Sequence, residues 1–252
     1  MKEVTLMEPE RRRIWLPVQY GDAVTRVAYP PVQGTHQECF QALHADKELK
    51  PASGIELALI TFGAYNGKEA EWKEIRQNCF VSNYTRVPYR MLLIPAGHIK
   101  GDKDLAGVLI EKDLQGKGLS TQMQVPELSK YTQKDGVYQI DNTSIFVPSD
   151  AYNGKSFEKD PLAHAHVTQE GATLFAKTAR DAGKTPFNWI AERMKAITAI
   201  EQRVSMLFGN SDRLSVDGSS WIGRDDGFAF GVFLGAEEQS RKKAIIVREF
   251  DN

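Results

Sequence analysis

The sequence predicts an α+β fold with a mixed or antiparallel sheet, and three stretches carry that prediction. Two alternating N-terminal segments, 12–20 and 23–29, flank Gly21-Asp22, a dipeptide that suits a tight hairpin turn. Residues 168–208 indicate a cluster of helices, and from about 213 to 250 the apolar spacing returns to two residues, as in an antiparallel meander. Strands, then helices, then strands favour an α+β fold over alternating βαβ units.

Turn, cap and proline signals define the N-terminal elements. Pro17 predicts that the first strand is an edge, because proline has no amide hydrogen to donate to a second neighbouring strand. Thr35 and Glu38 form a capping-box pattern, which predicts a helix from about 36 to 49. The nearly continuous apolar run 55–62 lies between glycines, so we expect a strand that is buried on both faces.

The middle of the chain is predicted to contain short elements around one long loop. That loop is polar and carries glycines and a proline, which are residues typical of irregular segments. The predicted segments are a charged helix over 68–77, strands within 79–95 and over 106–111, the loop over 113–131, and a hairpin of 137–140 and 144–147 around Asp141-Asn142.

Caps divide the helical stretch into three predicted helices. Thr168 is a suitable N-cap for the first helix, and Gly183 is a suitable end for it. Thr185-Pro186 can start the second helix, since proline is tolerated at the first helical position. Thr198 and Glu201 form another capping box, which predicts the third helix.

We expect residues 1–252 to form a single α+β domain. An alternative interpretation places a subdomain boundary near 148–165, where Pro148, Gly154 and Pro161 fall. No low-complexity linker marks that segment, so one domain is the better prediction.

Composition favours a soluble, cytoplasmic protein without a membrane span. The chain has 252 residues, of which 41% are hydrophobic and 26% charged, and its net charge is −1. No global field therefore favours nucleic acid or an anionic membrane. The first ten residues include three glutamates, which is unlike a signal peptide, and no apolar run approaches the ~18 residues of a membrane helix. Cys39 and Cys79 are expected to be reduced and buried, with a disulfide as the alternative.

One cluster of residues has the types that bind metal ions. His164 and His166 are two residues apart, Asp160 precedes the pair by four residues and Glu170 follows it by four. On a strand both imidazoles would face one side and could share a divalent transition metal, with a carboxylate completing the set. The spacing resembles half of the cupin metal motif, but the segment with the third histidine does not follow. In the alternative interpretation Asp160-Pro161 starts a helix, and the two histidines then diverge.

A second candidate site is the aromatic segment 227–233. It resembles the base-stacking strand of RNA-recognition motifs, with Phe228 and Phe230 on one face, although Asp226 stands where that motif has a basic residue. The alternative is that both rings belong to the core. The basic run that follows could add contacts to nucleic acid or to an acidic partner; it consists of Arg241, Lys242 and Lys243.

The sequence favours binding over catalysis. Nucleophile elbows, complete phosphate loops and zinc ligand sets are absent as local patterns, while four tryptophans supply anchors for an interface. Trp221, beside a predicted turn, is the first such candidate, and the alternative is that it packs on the helices. We therefore expect a non-enzymatic interaction protein that binds a protein partner or itself, as a subunit of an assembly or a homo-oligomer. The alternatives are a metal-dependent hydrolase that uses His164 and His166, and a single-stranded nucleic-acid-binding protein that uses Phe228 and Phe230.

Overall fold

Two β-sheets with helices packed against them make up the part of the chain that the structure describes. The structure is a computed structural model, and it describes residues 13–140, 143–219 and 226–235. The α+β class and the N-terminal antiparallel hairpin that the sequence predicts are both confirmed. Among the described helices, none combines the length and the apolar character that crossing a bilayer requires.

The elements are numbered in chain order. The helices are α1 (His36–Ala45), α2 (Ile55–Asn66), α3 (Ala70–Ile75), α4 (Ser149–Tyr152), α5 (Pro161–Val167), α6 (Gln169–Asp181) and α7 (Trp189–Met194). A π-helical segment, Arg76–Ser82, continues α3, and short 3₁₀ turns lie at Leu128–Lys130 and Phe157–Lys159. The strands are β1 (Ile14–Tyr20), β2 (Ala23–Tyr29), β3 (Val32–Gly34), β4 (Leu49–Pro51), β5 (Thr85–Ile94), β6 (Gly107–Lys112), β7 (Thr132–Lys134), β8 (Val137–Gln139), β9 (Ser144–Pro148), β10 (Thr185–Asn188), β11 (Glu201–Gly209), β12 (Arg213–Ser219), β13 (Gly227–Ala229) and β14 (Gly231–Phe233).

The strands form a small antiparallel sheet and a large mixed one. The small sheet has the order β1-β2-β14-β4, so β1 is an edge strand, as Pro17 predicts. The large sheet has the order β10-β12-β11-β5-β6-β9-β8-β7, and β13 and β3 extend it beside the start of β5. In this sheet β10 runs parallel to β12 and β13 runs parallel to β5, whereas the other pairs are antiparallel.

Strand β5 is buried along its whole length because both of its faces are covered. Val87, Met91 and Leu93 belong to the main core, which α2, α5 and α6 share. Leu92 and Ile94 belong to a second cluster on the opposite face. Residues of the segment 113–131, including Met123 and Leu128, close that cluster. This segment is the long loop that the sequence predicts.

Helix α2 replaces the strand that the apolar run 55–62 predicts. Its residues from Leu57 to Thr61 are all buried, so the helix is apolar on every side, as a fully buried helix should be. It packs against α6 and against the N-terminal hairpin. Gly63 lets α3 approach closely, because a Cβ atom there would lie 2.8 Å from the ring of Trp72. The prediction was wrong because a short, uniformly apolar run has no period that separates helix from strand.

The stretch 168–208 is less helical than predicted. Helix α6 follows its N-cap Thr168, and Gly183 lies just beyond its end, as expected. The predicted second helix is split into β10 and α7, and the predicted third helix is strand β11, which pairs with both β5 and β12. Glu201 does not cap a helix, because its carboxylate pairs with Arg193 and Arg203. Backbone pairing on two sides thus outweighs a local capping pattern.

The C-terminal strands differ from the predicted meander. Strand β13 pairs with β3 and β5 in the large sheet, whereas β14 pairs with β2 and β4 in the small sheet. The chain thus crosses from one sheet to the other at Phe230, whose side chain is buried in the main core. The predicted last strand, 244–250, lies outside the described residues.

The capping box predicted for α1 is present. The Thr35 hydroxyl accepts a hydrogen bond from the Glu38 amide at 3.3 Å, and the Glu38 carboxylate accepts one from the Thr35 amide at 2.9 Å. The helix ends at Ala45, earlier than predicted, because β4 follows closely after it. The cap matters for both sheets, since α1 packs against β3 of the large sheet and β4 of the small sheet.

Replacing Thr35 with alanine should therefore destabilise the protein by about 1 kcal/mol, because the Glu38 amide loses its acceptor. Urea unfolding at equilibrium measures this difference. The matched control is Thr173→Ala on the exposed side of α6, where alanine should be neutral or slightly stabilising. Equal effects of the two substitutions would contradict the capping role.

Candidate interaction surface

The N-terminal hairpin has one buried face and one partly open face. Leu16, Val18 and Val27 point into the main core toward α2. Paired residues in an antiparallel ladder share a face, so the register gives the composition of the opposite face. The pairs on that outer face are Trp15–Ala28, Pro17–Arg26 and Gln19–Val24.

Helix α1 covers only one end of the outer face. Ala28 and part of Trp15 pack there against Phe40 and Leu43 of α1. The rest is open: Val24 is 62% exposed, and Phe233 of the neighbouring strand β14 is 37% exposed. We call the open area, formed by Trp15, Pro17, Val24, Arg26 and Phe233, the hairpin patch.

Ring and guanidinium contacts order the hairpin patch. The rings of Trp15 and Phe233 meet edge to face with centroids 5.2 Å apart. The Arg26 guanidinium lies 5.8 Å from the centre of the Phe233 ring. An edge-to-face pair contributes roughly 0.5–1.5 kcal/mol beyond area burial, and an exposed cation–π contact roughly 0.5–1 kcal/mol. These side chains therefore lose less freedom when a partner contacts them.

Arg13 holds the start of β1 against the connection between α1 and β4. Its guanidinium lies 5.9 Å from the Trp15 ring centre. The same group donates to Glu48 at 3.0 Å and to Asp46 at 2.5 Å. Ion pairs of this exposure contribute at most about 1 kcal/mol, so their main effect is to fix the position of Trp15.

The free edge of β1 is protected against strand addition. The two-residue turn Gly21-Asp22 makes Tyr20–Ala23 a hydrogen-bonded pair, and such pairs recur at every second residue. The backbone groups of Trp15, Pro17 and Gln19 therefore point away from β2. Pro17, in the middle, has no amide hydrogen to offer. The hairpin thus presents its outer face to a partner, whereas its edge is blocked.

His164 and His166 lie on helix α5, which contradicts the strand that the metal hypothesis needs. Asp160 is the N-cap and Pro161 the first helical residue. On a helix, residues two apart point about 200° apart. The His164 Nε2 atom lies 2.8 Å from the Glu158 carbonyl oxygen, and the His166 Nδ1 atom lies 2.7 Å from that of Leu162.

The other two predicted metal ligands also have structural roles. Asp160 accepts hydrogen bonds from the Leu162 amide and from the Asn188 side chain, both at 2.8 Å. Glu170 lies in the first turn of α6. Across the residues that the structure describes, no group of three or more His, Cys, Asp or Glu side chains could hold a metal ion. The predicted ligand set is therefore corrected to a helix cap and two divergent histidines.

The predicted base-stacking residues are in the core. Phe228 is 5% exposed and Phe230 is 1% exposed, and both belong to the main core cluster. They cannot stack on bases without disrupting that core, so this prediction is wrong. The other predicted contact residues lie outside the described part of the chain; these are Trp221, Arg241, Lys242 and Lys243.

A buried polar cluster, which the sequence analysis missed, joins α1 to the long loop. His36 Nε2 lies 3.0 Å from the Asp113 carboxylate, which also accepts a hydrogen bond from the Lys117 amide at 2.7 Å. Nearby, the Arg86 side chain donates to the Gly34 carbonyl at 2.9 Å. Burial lowers the pKa of His36, although Asp113 opposes that shift. Spacing along the sequence gives no signal for contacts between such distant residues.

Cys39 lies one helical turn after His36, but its thiol is not set up as a nucleophile. Its Sγ atom is 3.5 Å from the Val32 carbonyl oxygen. Burial raises the pKa of the thiol to about 12, so the thiolate, which is the reactive form, is scarce near neutral pH. Cys79 is also free and buried. Both cysteines are therefore packing residues, as expected.

The sequence contained an unused signal for the hairpin patch. Ile14-Trp15-Leu16 places three apolar residues in succession on a strand that proline marks as an edge. Successive residues of a strand face opposite sides, so at least one apolar residue had to point away from the core. Phe233 could not be assigned to the same surface, because its pairing with the small sheet is a long-range contact.

His166 should make stability depend on pH below neutrality. Burial lowers its pKa from 6.5 to about 4, so between these values the unfolded chain binds a proton that the folded chain does not. His166 alone therefore lowers the free energy of unfolding as the pH falls from 6.5 to 4, whereas Asp217, whose pKa burial raises from 3.8 to about 6, acts in the opposite direction over much of this range. The gap between the two pKa values of His166 corresponds to roughly 3 kcal/mol.

Urea unfolding across this pH range measures how stability changes with pH, and His166→Asn should remove the His166 contribution, so that acidification destabilises the variant less than the wild type. The asparagine keeps a donor for the Leu162 carbonyl. The remaining pH dependence should reflect His36, whose pKa burial lowers, and Asp160 and Asp217, whose pKa values burial raises. His98→Asn, at an exposed position, should leave the slope unchanged. A wild-type slope in the His166→Asn protein would contradict this account.

Comparisons with family models, with curated proteins and with solved structures found no match for this chain.

Proposed function

We propose that this protein is a non-enzymatic interaction protein that binds a protein partner through the hairpin patch, as a subunit of a larger assembly. One observation carries the proposal: a sheet face with an ordered Trp15–Phe233 pair remains open to solvent beside the highly exposed Val24. Single exposed apolar residues are common, but adjacent ones on one flat face are typical of interaction sites.

The residue types of the patch support this function. Tryptophan and arginine are enriched among the residues that dominate interface energies, and here they are adjacent. Pro17 blocks growth of the sheet at its edge, so the patch can be exposed without inviting strand addition. These features favour a specific face-to-face contact over aggregation.

The charges of the patch indicate the chemistry of the partner. Arg13 is already paired with Asp46 and Glu48. Arg26, in contrast, makes no ion pair with any residue in the described ranges, and its guanidinium rests on the Phe233 ring. A matching partner surface would place an apolar side chain against Val24 and Phe233 and a carboxylate beside Arg26. A stable contact should bury at least ~1,000 Å² in total.

The substitution Val24→Glu tests the proposal. It puts a negative charge at the end of the patch nearest the turn, two residues from Arg26, and the high exposure of Val24 means that folding should tolerate it. The full chain would be tagged in its native cells, crosslinked and purified, and the co-purified proteins quantified. Val81→Glu is the matched control, since Val81 is also exposed, at 42%, and lies outside the patch.

We expect Val24→Glu to lose at least one partner, with recovery falling about tenfold or more, which a loss of ~1.4 kcal/mol in binding would produce. Val81→Glu should retain that partner, and its identity should be confirmed by reconstituting the complex from purified proteins. Two results would contradict the proposal: equal recovery with both variants, or a wild-type protein that binds no partner.

A further inference from the structure

We infer that a groove at one end of the large sheet is a binding site for a small organic anion with an apolar body. The groove has a volume of about 250 Å³ and lies between the sheet and α5. It belongs to the large sheet, whereas the hairpin patch belongs to the small one. The inference is therefore independent of the proposed partner binding.

The strand register explains the floor of the groove. Tyr89 of β5 is paired with Lys112 of β6, and the Lys112 amide donates to the Thr143 carbonyl at 3.0 Å. In the next row, Ile110 of β6 is paired with Ile145 of β9. The Tyr89–Lys112 pair therefore forms a polar row of side chains, and the Ile110–Ile145 pair forms an apolar row next to it on the same face of the sheet.

Helix α5 forms the opposite wall but is too short to close the groove. Ala165 is the only residue of this helix that lines it among the described residues, and its small side chain leaves space above Ile110 and Ile145. The Tyr89 ring stays in place because it meets the buried His166 ring edge to face at 5.9 Å. The apolar part of the groove is therefore preformed.

The charge of the groove favours an anion. Lys112 is the one charged residue among the described residues that line it. The acidic residues next to it in the sequence are engaged elsewhere: Glu111 pairs with Arg90 at 2.9 Å, and Asp113 contacts His36 at 3.0 Å. Within the described ranges Lys112 forms no ion pair, so its ammonium group is available to a ligand.

The size and the two rows of side chains define the ligand class. Ligand sites are usually about 300–1,000 Å³, and this groove lies just below that range, so it suits a small molecule. Ile110, Ile145 and the Tyr89 ring would contact an apolar or flat body. Lys112 would bind a carboxylate or phosphate group at the exposed end, where charge-assisted hydrogen bonds are strongest.

The test uses small aromatic probes of the same size that differ in charge. Benzoate and phenyl phosphate carry an anionic group, benzamide is neutral and benzylamine is cationic. Binding to the full chain would be measured by isothermal titration and by ligand-observed NMR. We expect millimolar or tighter binding of at least one anionic probe, and weaker or no binding of the neutral and cationic probes.

Three variants locate the site. Lys112→Met should weaken anion binding by about tenfold or more, since it removes a charge-assisted contact while keeping most of the side chain. Lys134→Met, at an exposed position outside the groove lining, should bind as the wild type does. Ala165→Phe should fill the apolar part and abolish binding of every probe, with circular dichroism confirming the fold.

The inference would be overturned if neither anion bound, if the neutral probe bound as well as the anions, or if Lys112→Met bound them as tightly as the wild type. Retained binding by Ala165→Phe would also overturn it, because the probe would then lie elsewhere.

Discussion

Burial of β5 on both faces is the constraint on which the rest of this structure depends. A strand covered on one side by helices and on the other by the segment 113–131 needs apolar side chains in both directions, and Met91 and Leu92 show that alternation. Strands β6 and β11 flank it, so its backbone groups are paired within the sheet. The helices, the long loop and the strands of both sheets take their positions relative to this element.

The second face of β5 is unusual because it buries arginines as well as apolar residues. Arg90 is 7% exposed and pairs with Glu111, while it also donates to the Thr121 carbonyl of the covering segment at 3.1 Å. Arg86, 2% exposed, reaches Gly34 beside α1. Buried charges are costly unless they are satisfied, so these contacts fix the loop and α1 to the sheet. Helix α1, held in this position, covers one end of the outer hairpin face and leaves the hairpin patch exposed.

Local signals predicted the elements whose structure is decided locally, and failed where long-range pairing decides. The turn Gly21-Asp22, the cap at Thr35 and the Asp160-Pro161 helix start each specify a conformation through neighbouring atoms. The run 55–62 and the stretch after Thr198 do not specify a conformation locally. Whether each forms a helix or a strand depends on the elements that pack beside it. The two sites differ for the same reason. The sequence shows that His164 and His166 are two residues apart, but whether both can bind one metal ion depends on the helix that contains them. The contact of Trp15 with Phe233 joins residues that are far apart in the sequence, so sequence spacing gives no signal for it.

We propose that this protein binds its partner through the open face of the hairpin. Hydroxyl-radical footprinting of the purified complex and of the isolated chain, read out by mass spectrometry, is the most direct test of that proposal. The account predicts that labelling of Trp15, Val24 and Phe233 falls in the complex, while labelling of the exposed residues Val81 and Leu114 stays the same. Protection of Val81 or Leu114, with the hairpin patch labelled as in the isolated chain, would contradict it.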